Sequence, residues 1–214
     1  MRTNHRLFVL GLLLLAGLGT ATAATVIYDN LNIAGTSYVL NYLETQGYTS
    51  AGNQFITDAS GYTLSSVTLQ LRPISAPSTI SVKLFSDAGG QPGADLYTIF
   101  SGAGPTLAGN VTYGGLNYDL GANTSYWVVL DSGGATPTMD WSYDSNDVQP
   151  TGVGTQPHLN AGSIDHGSSW LPFDVQPFAM QVTGDTALVP EPGAILVMIL
   201  GGAAFAVRRY LCRS

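Results

Sequence analysis

The sequence predicts an all-β fold, a single β-sandwich domain with a jelly-roll-like arrangement, and three observations support this prediction. The chain holds 26 glycines and 11 tyrosines, and its central part is rich in Ser, Thr and Val but poor in Lys, Glu and Arg. That composition disfavours helices and favours strands and turns. Short runs of alternating apolar and polar residues recur, and turn-forming residues separate them, as in a sandwich of short strands.

The alternating runs define the predicted strands, because successive side chains of a strand point to opposite faces of a sheet. Residues 64–72, 80–84 and 178–183 alternate between apolar and polar side chains, so we expect half-buried strands with one face in water. Residues 126–130 are apolar throughout, which is typical of a central strand. The sequence contains no exact internal repeat, so a solenoid or a propeller is not expected.

Turn signals separate these strands. Pro73 and Pro77 interrupt the chain between the first two alternating runs, and we expect those runs to form a hairpin. Residues 87–93 hold three glycines and a proline and predict a loop. Residues 145–169 hold four glycines and few apolar residues, which predicts a long surface loop. Such loops are often functional, and a disordered insertion is the alternative.

Each end of the chain carries an apolar segment next to basic residues. Near the N-terminus, two arginines precede the apolar residues 7–18, and small residues follow at 21–23, where signal peptidase is expected to cut. The C-terminal segment begins with a turn motif and ends with arginines. The predicted organisation is a signal peptide over 1–23, an exported β-sandwich domain over 24–186 and a sorting tail over 187–214.

The length of the C-terminal apolar stretch bears on what the tail does. Residues 193–207 would form about 22 Å of helix, whereas a bilayer core is about 30 Å thick. A marginal span suits a transient signal that is held in the membrane until an enzyme cuts it, and a permanent short anchor is the alternative. Because positive residues stay on the cytoplasmic side, both basic ends are expected inside and the domain outside. The flanking motif residues are Val189, Pro190, Glu191, Pro192, Arg208 and Arg209.

This tail resembles the PEP-CTERM sorting signal of Gram-negative bacteria that make exopolysaccharide. The Val-Pro-Glu-Pro motif at 189–192, the apolar stretch and the paired Arg208 and Arg209 match that signal in order. The resemblance implies that a membrane enzyme of the exosortase type processes the tail, so that the protein spans the membrane only transiently. It implies a cell-surface or extracellular location and says nothing about biochemical activity.

The exported part resembles the "choice-of-anchor" bacterial surface domains, which are joined to alternative C-terminal sorting signals. The segments that carry this resemblance are 61–67, 81–87, 90–93, 126–130 and 178–182, together with Trp141. The match spans about residues 26–184. It implies a secreted β-sandwich and names no activity.

Charge excludes several classes of partner for the exported domain. All 14 acidic residues lie between Asp29 and Glu191. The only Arg and Lys residues in that range are Arg72 and Lys83, so the exported domain is strongly negative. A field of that sign repels phosphate backbones and anionic membrane surfaces, so no nucleic-acid partner is expected. The single cysteine, Cys212, lies in the tail, so the domain is expected to fold without a disulfide, as its length permits.

No cofactor is expected, although the carboxylates suggest a structural Ca²⁺ ion. Ca²⁺ takes about six to eight oxygen ligands, which Asp, Asn and backbone carbonyls of a flexible turn supply. Asp87 and Asp95 are a weaker second candidate pair. Asx-rich turns also form for conformational reasons alone, because Asp and Asn hydrogen-bond to their own backbone. The main candidate ligands are Asp140, Asp144, Asn146 and Asp147.

Aromatic residues suggest a second function, the binding of carbohydrate. Trp141 and Tyr143 share one face of a predicted strand beside the carboxylates, and Trp170 ends the predicted long loop. Flat aromatic rings stack on the apolar faces of sugars, and neighbouring Asp and Asn side chains bind the hydroxyl groups. The alternative interpretation places Trp141, like Trp127, in the hydrophobic core.

Catalytic signals are weak. His158 and His166 lie in the predicted long loop, with Asp165 beside the second, but no Gly-x-Ser-x-Gly motif is present and the residues are too few for a zinc site. We therefore predict a non-catalytic protein of the cell surface or extracellular matrix, structural or adhesive within exopolysaccharide. Its expected processing partners are signal peptidase and an exosortase-type enzyme. A carbohydrate-binding module is the first alternative, and a secreted hydrolase is the second.

Overall fold

The computed structural model describes residues 24–31, 48–74, 79–134, 138–143, 150–155, 159–173 and 177–186. Within these ranges the chain forms strands and loops but no helix, and so no helix long and apolar enough to cross a membrane. The predicted signal peptide and the sorting tail lie outside the described residues. The strands are β1 Thr25–Asp29, β2 Ser50–Ile56, β3 Tyr62–Pro73, β4 Thr79–Asp87, β5 Pro92–Ala103, β6 Gly109–Leu120, β7 Ser125–Asp131, β8 Met139–Trp141, β9 Asn160–Ser163, β10 Leu171–Phe173 and β11 Met180–Thr186.

The strands form two antiparallel sheets. Sheet A has the order β1-β11-β3-β6, and β8 pairs with the end of β3. Sheet B has the order β10-β9-β2-β7-β4-β5. The buried apolar residues of both sheets join in one large cluster between them. The prediction of an all-β, two-layer sandwich is therefore confirmed.

The alternating runs bury one face, as predicted. Val67, Leu69 and Leu71 of β3 have no exposed surface, and the apolar positions of β4 and β11 are buried in the same way. The polar face of β3 is more buried than expected: Thr68 is 6% exposed and Gln70 is 8% exposed. β7, which contains the continuous apolar run, lies between β2 and β4, so the prediction of a central strand is confirmed.

The predicted hairpin around Pro73 and Pro77 is wrong. β3 lies in sheet A and β4 lies in sheet B, so the chain between them crosses from one sheet to the other. β3 pairs with β11 along one edge and with β6 along the other, which leaves no edge for β4. Pro73 therefore ends β3, and the next strand, β4, belongs to the other sheet.

The predicted long loop over 145–169 is also partly wrong. It contains β9, whose four small residues are all buried between β2 and β10. It also contains residues 151–155, where Thr151 pairs with Asp29 of sheet A and Thr155 pairs with Ile56 of sheet B. These short pairings connect the two sheets. No sequence pattern predicted them, because residues 151–155 show no alternation of apolar and polar side chains.

The first and last strands are neighbours, so both ends of the domain leave from the same end of the sandwich. Thr25 of β1 is paired with Gly184 of β11, and Thr186 is paired with Tyr62, the first residue of β3. We call this the terminal end. The opposite, distal end is where β3 and β7 finish, at Pro73 and at Asp131.

Candidate functional site

The carboxylate proposed as the first calcium ligand takes part in an ion pair. Asp140 is 7% exposed, and one of its oxygens accepts hydrogen bonds from Nε of Arg72 at 3.1 Å and from Nη2 at 2.6 Å. Asp144, Asn146 and Asp147 lie outside the described residues. Within the described ranges no three His, Cys, Asp or Glu side chains are grouped so that they could hold a metal ion.

The second carboxylate pair is divided between two networks. Asp87 accepts hydrogen bonds from Nε2 of Gln54 at 2.6 Å, from Nε1 of Trp127 at 2.8 Å and from the backbone N–H of Gly89 at 3.1 Å. Asp95 instead binds Nζ of Lys83 at 2.7 Å. Asp87 is therefore an acceptor for buried and turn N–H groups, and the two carboxylates do not act together.

The three aromatic residues proposed for ligand binding lie in two different places. Trp141 is 3% exposed, stacks on Phe178 with ring centroids 4.9 Å apart, and donates its indole N–H to the carbonyl of Ala179. Tyr143 is half-buried against the same core, and its backbone bridges to Phe178. Trp170 belongs to the other sheet, next to β10. Trp141 thus has a core role, and only Trp170 lies on an outer surface.

A second apolar cluster lies on the outer face of sheet B. Side chains of β7 alternate between the inner core, which takes Val128, and this outer cluster, which takes Trp127 and Val129. Sequence reasoning missed this cluster, although the continuous apolar run at 126–130 was its signal, because such a strand needs cover on both faces. We call it the outer aromatic cluster; its members are Trp127, Val129, Ala161, Phe85, Leu159 and Trp170.

Trp170 reaches across sheet B to join this cluster. Its ring centroid lies 6.3 Å from that of Phe85, with an edge-to-face angle of 75°. β10 and β4 are four strand positions apart in sheet B, or about 19 Å, so the residues before β10 arch over the sheet. We call residues 164–170 the strap, because they hold Trp170 over the outer face.

The strap is held at its base by a carboxylate within it. Asp165 accepts hydrogen bonds from Oγ of Ser169 at 2.6 Å, from Oγ of Ser163 at 2.7 Å and from the N–H of Ser169 at 2.8 Å. These bonds, with the Ser169 hydroxyl contributing most, lower the pKa of Asp165 to about 2. The carboxylate is therefore charged at neutral pH and fixes the turn of the strap.

His166 ties the strap to the neighbouring strands. Its N–H donates to Oγ1 of Thr49 at 3.0 Å, and its Nδ1 lies 3.2 Å from both carboxylate oxygens of Asp131. Asp131 also accepts a hydrogen bond from Oγ of Ser50 at 3.0 Å. The acid thus lies between the serine and the histidine, whereas a nucleophilic triad needs the histidine in the middle. This geometry positions the strap and does not activate Ser50.

Glycine is required where the strap meets the indole ring. Gly167 has φ of +85°, a left-handed conformation, and a Cβ atom there would lie 3.2 Å from Cζ2 of Trp170. A side chain at this position would be strained and would push against the ring. The strap therefore presents Trp170 in a defined orientation.

Comparison with known proteins adds no assignment. No protein-family model matches the chain, and no curated protein sequence matches it. The resemblances of the tail and of the domain therefore stay predictions, and function has to be argued from the residues and their geometry.

Proposed function

We propose that this chain is an exported, non-catalytic protein of the surface or extracellular matrix of a Gram-negative bacterium, sorted through its C-terminal tail. Its role would be structural or adhesive within exopolysaccharide. The structural observation that best supports this proposal is the pairing of Thr25 with Gly184. Because the first and last strands are neighbours, the predicted signal peptide and the predicted tail join the domain at the same end.

This placement gives an orientation to the tethered precursor. A domain that is held by the tail at Arg208 and Arg209 would have its terminal end next to the membrane. β3 runs through 12 residues from the terminal end to the distal end, which corresponds to about 36 Å. The strap follows β9 at the distal end, so it would face away from the membrane. That orientation suits a protein whose working surface meets the surrounding matrix.

The finer fold assignment within this proposal is a jelly roll. If the short strands β8, β9 and β10 are left aside, the sheets read β1-β11-β3-β6 and β2-β7-β4-β5. The chain then passes between the sheets so that the first and last strands lie side by side, as two interlocked Greek keys require. This order supports the jelly-roll-like interpretation.

The non-catalytic part of the proposal rests on the use of the carboxylates. Asp87, Asp131, Asp140 and Asp165 each accept two or more hydrogen bonds from neighbouring side chains or turns. Carboxylates that accept hydrogen bonds in this way stabilise the fold. A general acid or base instead needs a perturbed group that faces a substrate position.

The test is the intact mass of the protein recovered from native cells and medium. We expect a mass that begins near Ala24 and ends between Val189 and Gly193, because signal peptidase and the exosortase-type enzyme remove both ends. Replacing Glu191 with Ala should leave the tail on the protein in the membrane fraction, whereas Leu107→Ala at the distal end should be processed normally. Mature protein that keeps Arg208 would contradict the sorting mechanism.

A further inference from the structure

The outer face of sheet B is unusual for the outside of a sandwich. In such folds the outward side chains are mostly polar, because only the inner faces pack together. Here Trp127 and Ala161 have no exposed surface and Val129 has 3%, although all three lie outside the main core. Phe85 and Trp170 cover them and keep part of their own rings in water. The result is a partly exposed aromatic surface that is separate from the inner core in the described part of the chain.

We propose that this surface, centred on Trp170 and Phe85, binds a neutral polysaccharide. The proposal rests on the exported, matrix-associated role argued above and names its partner. Two partly buried rings that meet edge to face at 6.3 Å form an aromatic corner. Such a corner offers one flat ring for the C–H face of a sugar and a second ring against its side.

Polar groups for sugar hydroxyls lie directly beside the rings. Asp95 is the register partner of Phe85 on β5, and Lys83 precedes Phe85 by two residues on the same face of β4. The ammonium of Lys83 lies 2.7 Å from Asp95, and the two side chains are 35% and 44% exposed. The pair therefore presents a donor and an acceptor at fixed positions on the rim of the aromatic surface. Sugar recognition needs both, since each hydroxyl can donate and accept.

The charge of the domain selects among polysaccharides. The positive charge of Lys83 is balanced by the carboxylate of Asp95. Three further carboxylates, those of Asp87, Asp131 and Asp165, belong to the same sheet or its loops and make this side of the domain negative. A uronate or sulfate polymer would approach against this negative field, whereas a neutral chain pays no such penalty. We therefore expect the ligand to be a neutral glycan.

The strap makes this surface rigid before a ligand arrives. Asp165 fixes its turn, the contact of His166 with Asp131 fixes its position over the sheet, and Gly167 allows close approach to the indole. A ring that is already held in place loses little conformational entropy on binding. This explains why a distal loop carries so many hydrogen bonds to support one tryptophan.

The experiment is affinity electrophoresis of the full chain in mild detergent, in native gels that contain hydroxyethylcellulose, galactomannan or polygalacturonate. We expect retardation by at least one neutral polymer and none by polygalacturonate. Trp170→Leu keeps the apolar cover but removes the flat ring, and it should raise the dissociation constant at least about tenfold, as loss of an aromatic anchor does. Trp170→Phe should restore most of the binding, and Leu107→Ala, at a residue 80% exposed, should change nothing.

Two results would overturn the proposal: no retardation of the wild-type chain by either neutral polymer, or equal retardation of the wild type and Trp170→Leu. If Trp170→Leu does not fold, Asp95→Asn and Lys83→Met at the exposed rim serve instead and should weaken binding with an unchanged melting temperature. Binding is measured on purified protein, so it is independent of tail processing. A failed sorting mechanism and a failed binding surface are therefore distinguishable.

Discussion

Gly154 is a position where one added methyl group should damage the contact between the two sheets. It lies in residues 151–155, which join β1 of one sheet to β2 of the other. A Cβ atom at Gly154 would lie 2.3 Å from the carbonyl oxygen of Ile56 and 2.9 Å from that of Ile27. Both obstacles are backbone atoms, so no side-chain rotation relieves the clash. In Gly154→Ala the crossing segment must move away from both sheets.

That movement breaks a defined set of hydrogen bonds. The N–H of Gly154 donates to Ile27 at 2.8 Å, and Thr155 and Ile56 exchange two bonds at 2.9 and 2.8 Å. Three lost backbone bonds at about 0.5–1.5 kcal/mol each amount to about 3 kcal/mol. Replacing glycine by alanine also adds about 0.4–1 kcal/mol to the unfolding free energy, because alanine lowers the conformational entropy of the unfolded chain. The net loss of unfolding free energy is about 2 kcal/mol, which lowers the melting temperature by about 4–8 °C.

Thermal unfolding followed by circular dichroism measures this shift, and urea unfolding gives the free energy. Gly114→Ala is the matched control, since nothing lies within 4 Å of the Cβ position there. It should melt within about 2 °C of the wild type, because it disturbs no contact. If the two variants melt at the same temperature, residues 151–155 do not hold the sheets together in the way described.

The other predictions concern three carboxylates. The folded pKa of Asp165, about 2, is below its unfolded value, so this group stabilises the strap above about pH 4 and loses that contribution as the pH falls towards 2; the protection factors of the strap amides, taken against the intrinsic exchange rate at each pH, should fall over that window. Asp87→Ala removes the acceptor of Trp127, and unfolding free energy should fall by about 2–4 kcal/mol in urea titrations. Arg72→Met leaves Asp140 buried without its guanidinium partner and should cost about 3–5 kcal/mol.

Each of these predictions has its own control. Asp165→Asn should abolish the pH dependence of the protection factors in the strap, and a dependence that persists would assign it to another group. Asp87→Asn keeps one acceptor oxygen and should lose less stability than Asp87→Ala; equal losses would mean that the indole bond contributes little. Adding Asp140→Leu to Arg72→Met should recover stability, because it removes the buried charge that has lost its guanidinium. No recovery in the double variant would contradict the ion-pair argument.

The sequence by itself determined four of the eleven strands in the described residues, β3, β4, β7 and β11, and the buried face of the alternating ones. Alternation with a period of two is a local pattern, so residues 64–72 and 80–84 could be assigned without knowledge of their partners. The same local reasoning identified 126–130 as a central strand. β9 was not predicted as a strand, because its Asn-Ala-Gly-Ser sequence has neither alternation nor β-branched residues. Its burial comes from the strands on either side.

Only the tertiary structure decided which strands pair and which face each aromatic residue takes. Whether β3 meets β4 in a hairpin depends on β11 and β6, which are remote in sequence and occupy both edges of β3. In the same way, Trp141 and Trp170 look alike as tryptophans in a polar, acidic setting. The first is buried against Phe178, whereas the second is carried over the outer face by the strap. Alternation shows that a strand has two faces, but the layer that covers each face comes from distant parts of the chain.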